Sequence, residues 1–257
     1  MARPPAFLRL AAHPLRWQLL TALAHGDHRV RELAARVGEP PNLVSYHLRL
    51  LREEHLVSTN RSSFDGRDSY YHLDLDRCAD ALAGSAAALH PALHPAPHPA
   101  LHPAPHPADT GPAAVPARST GTVSVLFVCT GNGSRSPMAE ALLRRRAAGG
   151  LTVTSAGTRP KPELHPHTVR VLRESYGIDV SDQRPRSLDG LSGRRFDHVI
   201  TLCDRAREAC PEFPDHPRLA HWSIPDPAAA EDDAAFGRVA DELETRIRYL
   251  LHVLEVS

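Results

Sequence analysis

Between His90 and Pro107 the dipeptide His-Pro recurs every four residues, with further prolines between the repeats. Proline locks its own φ and has no N–H to give to a helix or a sheet ladder, so this run is barred from both and favours polyproline II. At ~3.1 Å per residue the stretch from His90 to Ala108 reaches ~59 Å. A chain interrupted in this way cannot close around a single core. It reads as two domains, residues 1–83 and 121–257, joined by an Ala/His/Pro-rich linker over 84–120 that acts as a semi-rigid spacer. The 257 residues suffice for two modest cores. Histidines at a regular interval would also suit metal collection, but the spacer reading needs nothing beyond the prolines, and no metal ligand is assigned.

Lys plus Arg and Asp plus Glu both number 30, so no overall field draws the chain to nucleic acid, and any DNA-binding patch must be local. No apolar run approaches the ~18 residues of a membrane span and no secretory leader is recognisable, which points to the cytoplasm. In a reducing compartment the four cysteines are expected to be catalytic rather than structural.

In the first domain Leu15, Leu19, Leu20 and Leu23 share one helix face, and Val30, Leu33, Ala34 and Val37 share another. Gly38-Glu39-Pro40-Pro41 interrupts the pattern. Asn42 is placed to cap a third helix whose buried stripe is Val44, Leu48 and Leu51. Two strand-like runs follow, Leu56–Asn60 and Ser69–Leu75, around a turn containing Asp65-Gly66. Helices, a turn and then a hairpin make a mostly α winged helix-turn-helix. The stretches Leu43 to Val57 and Gly66 to Leu73 resemble ArsR-type repressors. That resemblance implies a homodimer with the third helix in the major groove of an operator. Ser45, His47, Arg49 and Arg52 would then lie near the DNA, with Arg61 and Arg67 on the wing. Such repressors often sense metalloids through clustered thiols. Here the half contains only Cys78, expected as an ordinary helix residue, so no inducer is assigned.

The second domain alternates strand and helix patterns, as an α/β sheet does. Strands are expected over Val123–Val128, Leu151–Ser155, His198–Leu202 and Leu219–Ser223, and helices over Pro137–Ala148, Thr168–Tyr176 and Asp232–Leu254. Between the first strand and the first helix stands Cys129-Thr130-Gly131-Asn132-Gly133-Ser134-Arg135-Ser136-Pro137. A cysteine, five residues and an arginine in this position make a cradle for a tetrahedral oxyanion. Loop N–H groups and the positive helix end would face the anion, and Arg135 would add a planar fork to two of its oxygens. The same field favours Cys129 as the thiolate. Glycines on both sides of Asn132 permit turns that a side chain would resist. Pro137 is expected at the first helical position. A nucleotide-binding loop fits poorly, because no Lys-Ser/Thr follows the glycines.

This stretch resembles the signature of the low-molecular-weight tyrosine phosphatase fold, shared by tyrosine phosphatases and thioredoxin-coupled arsenate reductases. The likeness runs from Thr122 onward, about half of the chain, and implies a four-stranded parallel sheet. Arsenate reductases of this fold carry two further cysteines just past a later strand, and Cys203 and Cys210 stand there, in Cys203-Asp204-Arg205-Ala206-Arg207-Glu208-Ala209-Cys210-Pro211. Loops beyond the carboxyl ends of parallel strands share one side of the sheet, so these thiols should lie on the side of Cys129. Zinc suits them poorly, since the spacing is wide and no histidine pair accompanies it. Seven helical residues separate Cα atoms by about 10.5 Å, whereas a disulfide tolerates at most about 7 Å, so a helix there must unwind to oxidise. In the resembled families an aspartate in the position of Asp226, within Ile224-Pro225-Asp226-Pro227, is the general acid or assists thiol transfer.

The function expected is therefore reduction of arsenate to arsenite by a Cys129–Cys203–Cys210 cascade, fused to a DNA-binding regulator. It needs no tightly bound cofactor and is reset by thioredoxin or a low-molecular-weight thiol. Two alternatives stay open. One is a phosphotyrosine phosphatase using Cys129, Arg135 and Asp226 alone, towards which Pro137 leans and against which Ser134 stands. The other is a repressor whose second half only senses an oxyanion.

Overall fold

A computed structural model describes residues 3–90, 93, 122–147, 149–191, 193–211, 213, 217–230 and 232–255. The spacer reading falls, beyond position 93, outside the described residues. Two compact units are present, with separate hydrophobic cores.

The N-terminal unit runs α1 (Ala6–Ala11), α2 (Pro14–Leu23), β1 (His28–Arg29), α3 (Val30–Val37), α4 (Pro41–Glu53), β2 (Val57–Arg61), β3 (Ser69–Leu73) and α5 (Leu75–Leu89). The strands form one antiparallel sheet in the order β1-β3-β2. Leu19, Leu33, Val44, Leu48 and Leu51 are fully buried, so the expected stripes of α2, α3 and α4 meet in one core. Asn42 does not cap α4: the cap is Pro40, Pro41 takes the first helical position, and Asn42 comes second. Proline suits that first position because its missing N–H would have no partner there, which moves the start upstream by two residues. α5 begins at Asp74, whose carboxylate accepts from the Arg77 N–H at 2.9 Å, and runs through Leu89, past position 83. Alanine-rich composition carries the helix up to the edge of the proline repeat.

The C-terminal unit runs β4 (Val123–Cys129), α6 (Arg135–Arg146), β5 (Leu151–Gly157), α7 (Pro166–Tyr176), β6 (His198–Thr201), α8 (Asp204–Ala209), β7 (Arg218–His221) and α9 (Asp233–Glu255). Its four strands are all parallel, in the order β5-β4-β6-β7. Val125 through Val128 of the central strand β4 are fully buried on both faces, as an unbroken apolar run in a parallel sheet requires. α6 packs on β5 and α9, and α7 on α9. α9 turns Phe236, Ala240, Leu243 and Ile247 inward with no exposure. α6 starts two residues earlier than expected, so Pro137 is its third residue and not its first. The first-turn N–H groups of a helix lack intrahelical partners, so proline costs no bond there. No helix among the described residues is long and apolar enough to cross a membrane.

Phe236→Ala should destabilise the C-terminal unit by about 3–5 kcal/mol, the cost of an aromatic cavity. Urea unfolding followed through Trp222, in a Trp17→Phe background, measures it. An unchanged midpoint would mean that α9 is not the core helix described.

Candidate functional site

Two adjacent strands deliver the chemistry. β4 ends on Cys129, and β6 pairs with it in register, Val128 opposite Thr201, so Cys203 emerges two residues beyond the end of β6 on the same side of the sheet. The Leu202 N–H donates to the Val128 carbonyl at 2.7 Å, extending the ladder into the loops. Thr130 Oγ1 then lies 3.3 Å from Cys203 Sγ.

The loop from Thr130 to Ser134 is held from outside. The N–H groups of Thr158, Arg159, Lys161 and His165 donate to the carbonyls of Cys129, Thr130, Gly131 and Gly133 at 3.1, 2.8, 2.8 and 2.9 Å. Thr168 Oγ1 adds a second bond to the Gly133 carbonyl at 3.1 Å. The N–H and C=O of a planar trans peptide point in opposite directions. With the carbonyls drawn outward, the N–H groups of Gly131, Asn132 and Ser134 turn inward, and that of Asn132 reaches Cys129 Sγ at 3.2 Å. Successive inward N–H groups make a concavity of the kind that can receive an anion.

The backbone turn falls elsewhere than expected. Asn132 itself adopts φ +47°, and neither flanking glycine has a positive φ. Asparagine tolerates this conformation because its side chain bonds locally. Here Nδ2 donates to Ser136 Oγ at 2.8 Å and to Ser155 Oγ at 2.9 Å, while Oδ1 accepts from the Arg186 N–H at 2.7 Å. Gly157 was not anticipated as a site residue. A Cβ there would stand 2.8 Å from the Thr130 carbonyl oxygen, so only glycine lets β5 approach the loop this closely.

Cys129 is almost wholly buried, with Ser136 Oγ 3.0 Å from its sulfur. Arg135 is also buried: Nη1 donates to the Ile224 carbonyl at 3.0 Å and Nη2 to Asp226 Oδ2 at 3.1 Å. Cys129, Arg135, Cys203 and Asp226 line one pocket. Asp226 remains half-exposed and accepts from the Ala228 N–H at 3.2 Å, which fixes its carboxylate at the pocket edge.

Cys203 caps the start of α8 and Cys210 its end, and both are free thiols. The Cys203 end is anchored. Buried Asp204 meets His221 Nε2 at 3.0 Å and accepts from Ser223 Oγ at 2.9 Å. Burial works to raise the Asp204 carboxyl, yet hydrogen bonding, from His221 foremost, holds it below the usual carboxylate range. At the other end, burial pushes the Cys210 thiol up to about 11.

In the N-terminal unit, α4 exposes Ser45, Tyr46, Arg49 and Arg52; Arg67 is exposed on the turn between β2 and β3, within residues 62–67, which group with the other unit. His47 is the exception among the residues expected to face DNA. It is 5% exposed, with its ring 4.5 Å from that of His13, so it belongs to the helix-packing side of α4. Burial first, then His13 and Arg16, lowers its pKa, which favours the neutral ring. Tyr46, with the Arg49 guanidinium 5.4 Å from its ring centroid, takes the exposed place instead. Cys78 is a half-buried residue of α5 whose thiol is pushed up to about 11, by burial and then by Asp74. Among the described residues, no group of three or more His, Cys, Asp or Glu side chains could hold a metal ion.

Residues 124–257 match the family of low molecular weight phosphotyrosine protein phosphatases, and residues 13–59 match the arsR family of bacterial regulatory proteins. An arsenate reductase of Brevibacillus brevis is 38% identical over 125 residues, covering 49% of this chain and 91% of that protein. One from Bacillus licheniformis is 39% identical over 130 residues, covering 49% and 92%. A crystal structure of arsenate reductase from Archaeoglobus fulgidus is 31% identical, covers 50% of this chain and 98% of its own, and has a TM-score of 0.43. The chain belongs to the low molecular weight phosphotyrosine protein phosphatase family, with an arsR-family regulatory segment fused ahead of the phosphatase-like unit.

Proposed function

We propose that the C-terminal unit reduces arsenate to arsenite through Cys129, Cys203 and Cys210, and that the N-terminal unit ties this activity to an operator. The observation that carries the reading is the pairing of β4 with β6, which puts Cys203 next to the loop that holds Cys129. A phosphatase has no use for a second thiol there.

Arsenate enters the loop and takes the inward N–H groups and the Arg135 fork. The Cys129 thiolate attacks arsenic, and an oxygen leaves as water with a proton handed over by Asp226. The Cys203 thiolate then attacks Cys129 Sγ. The electron pair of the sulfur–arsenic bond stays on arsenic, which departs as arsenite, and a Cys129–Cys203 disulfide remains. Cys210 attacks Cys203, freeing Cys129 and closing a Cys203–Cys210 bond. For that last step α8 must open, since about 10.5 Å of helical rise exceeds the ~7 Å a disulfide spans. Opening also exposes the Cys210 thiol, removing the burial that keeps it protonated. A thioredoxin-like dithiol, or a low-molecular-weight thiol, reduces the bond and returns the two electrons.

For the N-terminal unit we assign Ser45, Arg49, Arg52 and Arg67 to DNA, with Tyr46 added and His47 removed. Dimerisation through α1 and α5 fits the surface, because these two packed helices expose Leu8, Leu82 and Leu89. Free thiols throughout the chain suit a reducing cytoplasm.

Three outcomes follow. With arsenate, thioredoxin, its reductase and NADPH, the protein should consume NADPH, and Cys203→Ser should abolish turnover. Hydrolysis of para-nitrophenyl phosphate that survives this substitution, with no arsenate-dependent NADPH loss in the wild type, would make the chain a phosphatase instead. Asp226→Asn should lower kcat for arsenate about a hundredfold, the scale of general acid catalysis, and an unchanged kcat would remove Asp226 from the reaction. On a duplex from upstream of the protein's own coding sequence, Arg49→Ala and Arg67→Ala should each weaken binding and flatten its salt dependence by about one unit of slope. Equal affinity and slope in both variants would take α4 and the turn off the DNA.

A further inference from the structure

His13 and His47 meet where α2 begins beside α4, with their ring centroids 4.5 Å apart. His13 caps α2, its Nδ1 accepting the Leu15 N–H at 3.2 Å. A nitrogen that accepts must keep its lone pair, so this cap needs Nδ1 without a proton. His47 lies on the packed side of α4, 5% exposed, and its Nδ1 is buried with no hydrogen-bond partner among the described residues. A neutral ring tolerates that. An imidazolium carries an N–H at both nitrogens, and one of them would be a charged donor with nothing to receive it. The surroundings lean the same way. Burial first, then His13 and Arg16 on α2, work against a proton on His47, and Glu39 in the turn before α4 opposes them. Arg16 is held in place by the carbonyls of Leu10 and Arg9, at 2.7 Å from Nε and 2.9 Å from Nη2. The Tyr46 ring, edge-on at 5.2 Å, completes the setting.

We propose that this pair is a proton-sensitive latch: with both rings neutral it holds α4 against α2, and proton uptake loosens the helix that the N-terminal unit offers to DNA. Acid acts on both partners. A proton on His13 Nδ1 ends the cap on α2, and a proton on His47 sets a charge beside His13 and Arg16 in a place closed to water. His47 takes its proton less readily in the folded unit than in an unfolded chain, so the packed arrangement is fully stable above the usual imidazole range and loses stability as pH falls through it. The sign is unusual for a DNA-binding surface, where added positive charge meets phosphate and strengthens binding. The inference rests on the assignment of α4 to DNA, and not on any reaction of the C-terminal unit.

The test is binding of the full-length protein to the same upstream duplex at constant ionic strength, from about pH 7.5 to about pH 5.5, the span in which imidazole titrates. Wild-type affinity should fall about tenfold, the effect of one pKa unit. His13→Asp keeps a cap acceptor and gives His47 an opposite charge, whereas His47→Gln leaves nothing to titrate. In both variants affinity should hold or rise on acidification. Wild-type affinity that holds or rises contradicts the inference, and so does a fall in either variant as large as that of the wild type. Thermal unfolding without DNA, followed through Trp17 in a Trp222→Phe background, separates the latch from the DNA assignment. A midpoint that drops with pH more steeply in the wild type than in His13→Asp supports the latch, even where no duplex binds at any pH and only the DNA assignment fails. Equal pH dependence of the two midpoints contradicts it.

Discussion

The carbonyl groups of Cys129, Thr130, Gly131 and Gly133 are bound from outside by a single neighbouring segment, and the rest of the site depends on that. A loop whose carbonyls were free would place them on either side. Tied down at four points by residues 158–165, this one has the N–H groups that follow those carbonyls turned to the interior. In the proposed reaction, affinity for the anion is thus largely a property of the backbone, prepared before any ligand arrives, to which Arg135 adds charge. The cost falls on Gly157 and Asn132, the first because it admits no side chain, the second because it holds a left-handed backbone.

Sheet order does the rest. With β4 between β5 and β6, the loops after β4 and β6 emerge side by side, and two cysteines 74 positions apart in sequence become neighbours of one threonine. The third thiol is kept apart by α8. One end of that helix is held at Asp204 and His221, beside Cys203, which in the proposed cascade waits next to the loop. The other end carries Cys210, which in the proposed cascade must travel. A half-buried Cys210 whose thiol is pushed up is a poor nucleophile, which suits a thiol that in the proposed cascade acts only after the helix has opened.

Much of this was legible in the sequence because periodicity and motif spacing are local. The stripes of α2, α3, α4 and α9 follow from apolar spacing, and the strand–loop–helix order around Cys129 follows from the residues flanking it. What escaped the reading depends on contacts between distant segments. Gly157 matters only because β5 comes close to the loop. His47 is different, since its signal was present. It lies three residues after Val44 and four before Leu51, which is the spacing of the buried stripe, and polarity hid it. The start of α6 shows a limit of another kind. Proline is accepted at several first-turn positions, so it marks the beginning of a helix without choosing the residue.

The central matter is whether oxidation passes from the anion loop through Cys203 to Cys210. A non-reducing peptide map of the full chain, after one equivalent of arsenate and no reductant, measures this directly. Passage through three thiols requires a bond joining Cys203 to Cys210 and Cys129 recovered as a free thiol. Arsenite formed while Cys203 and Cys210 both remain free, or arsenate left unreduced, would contradict it.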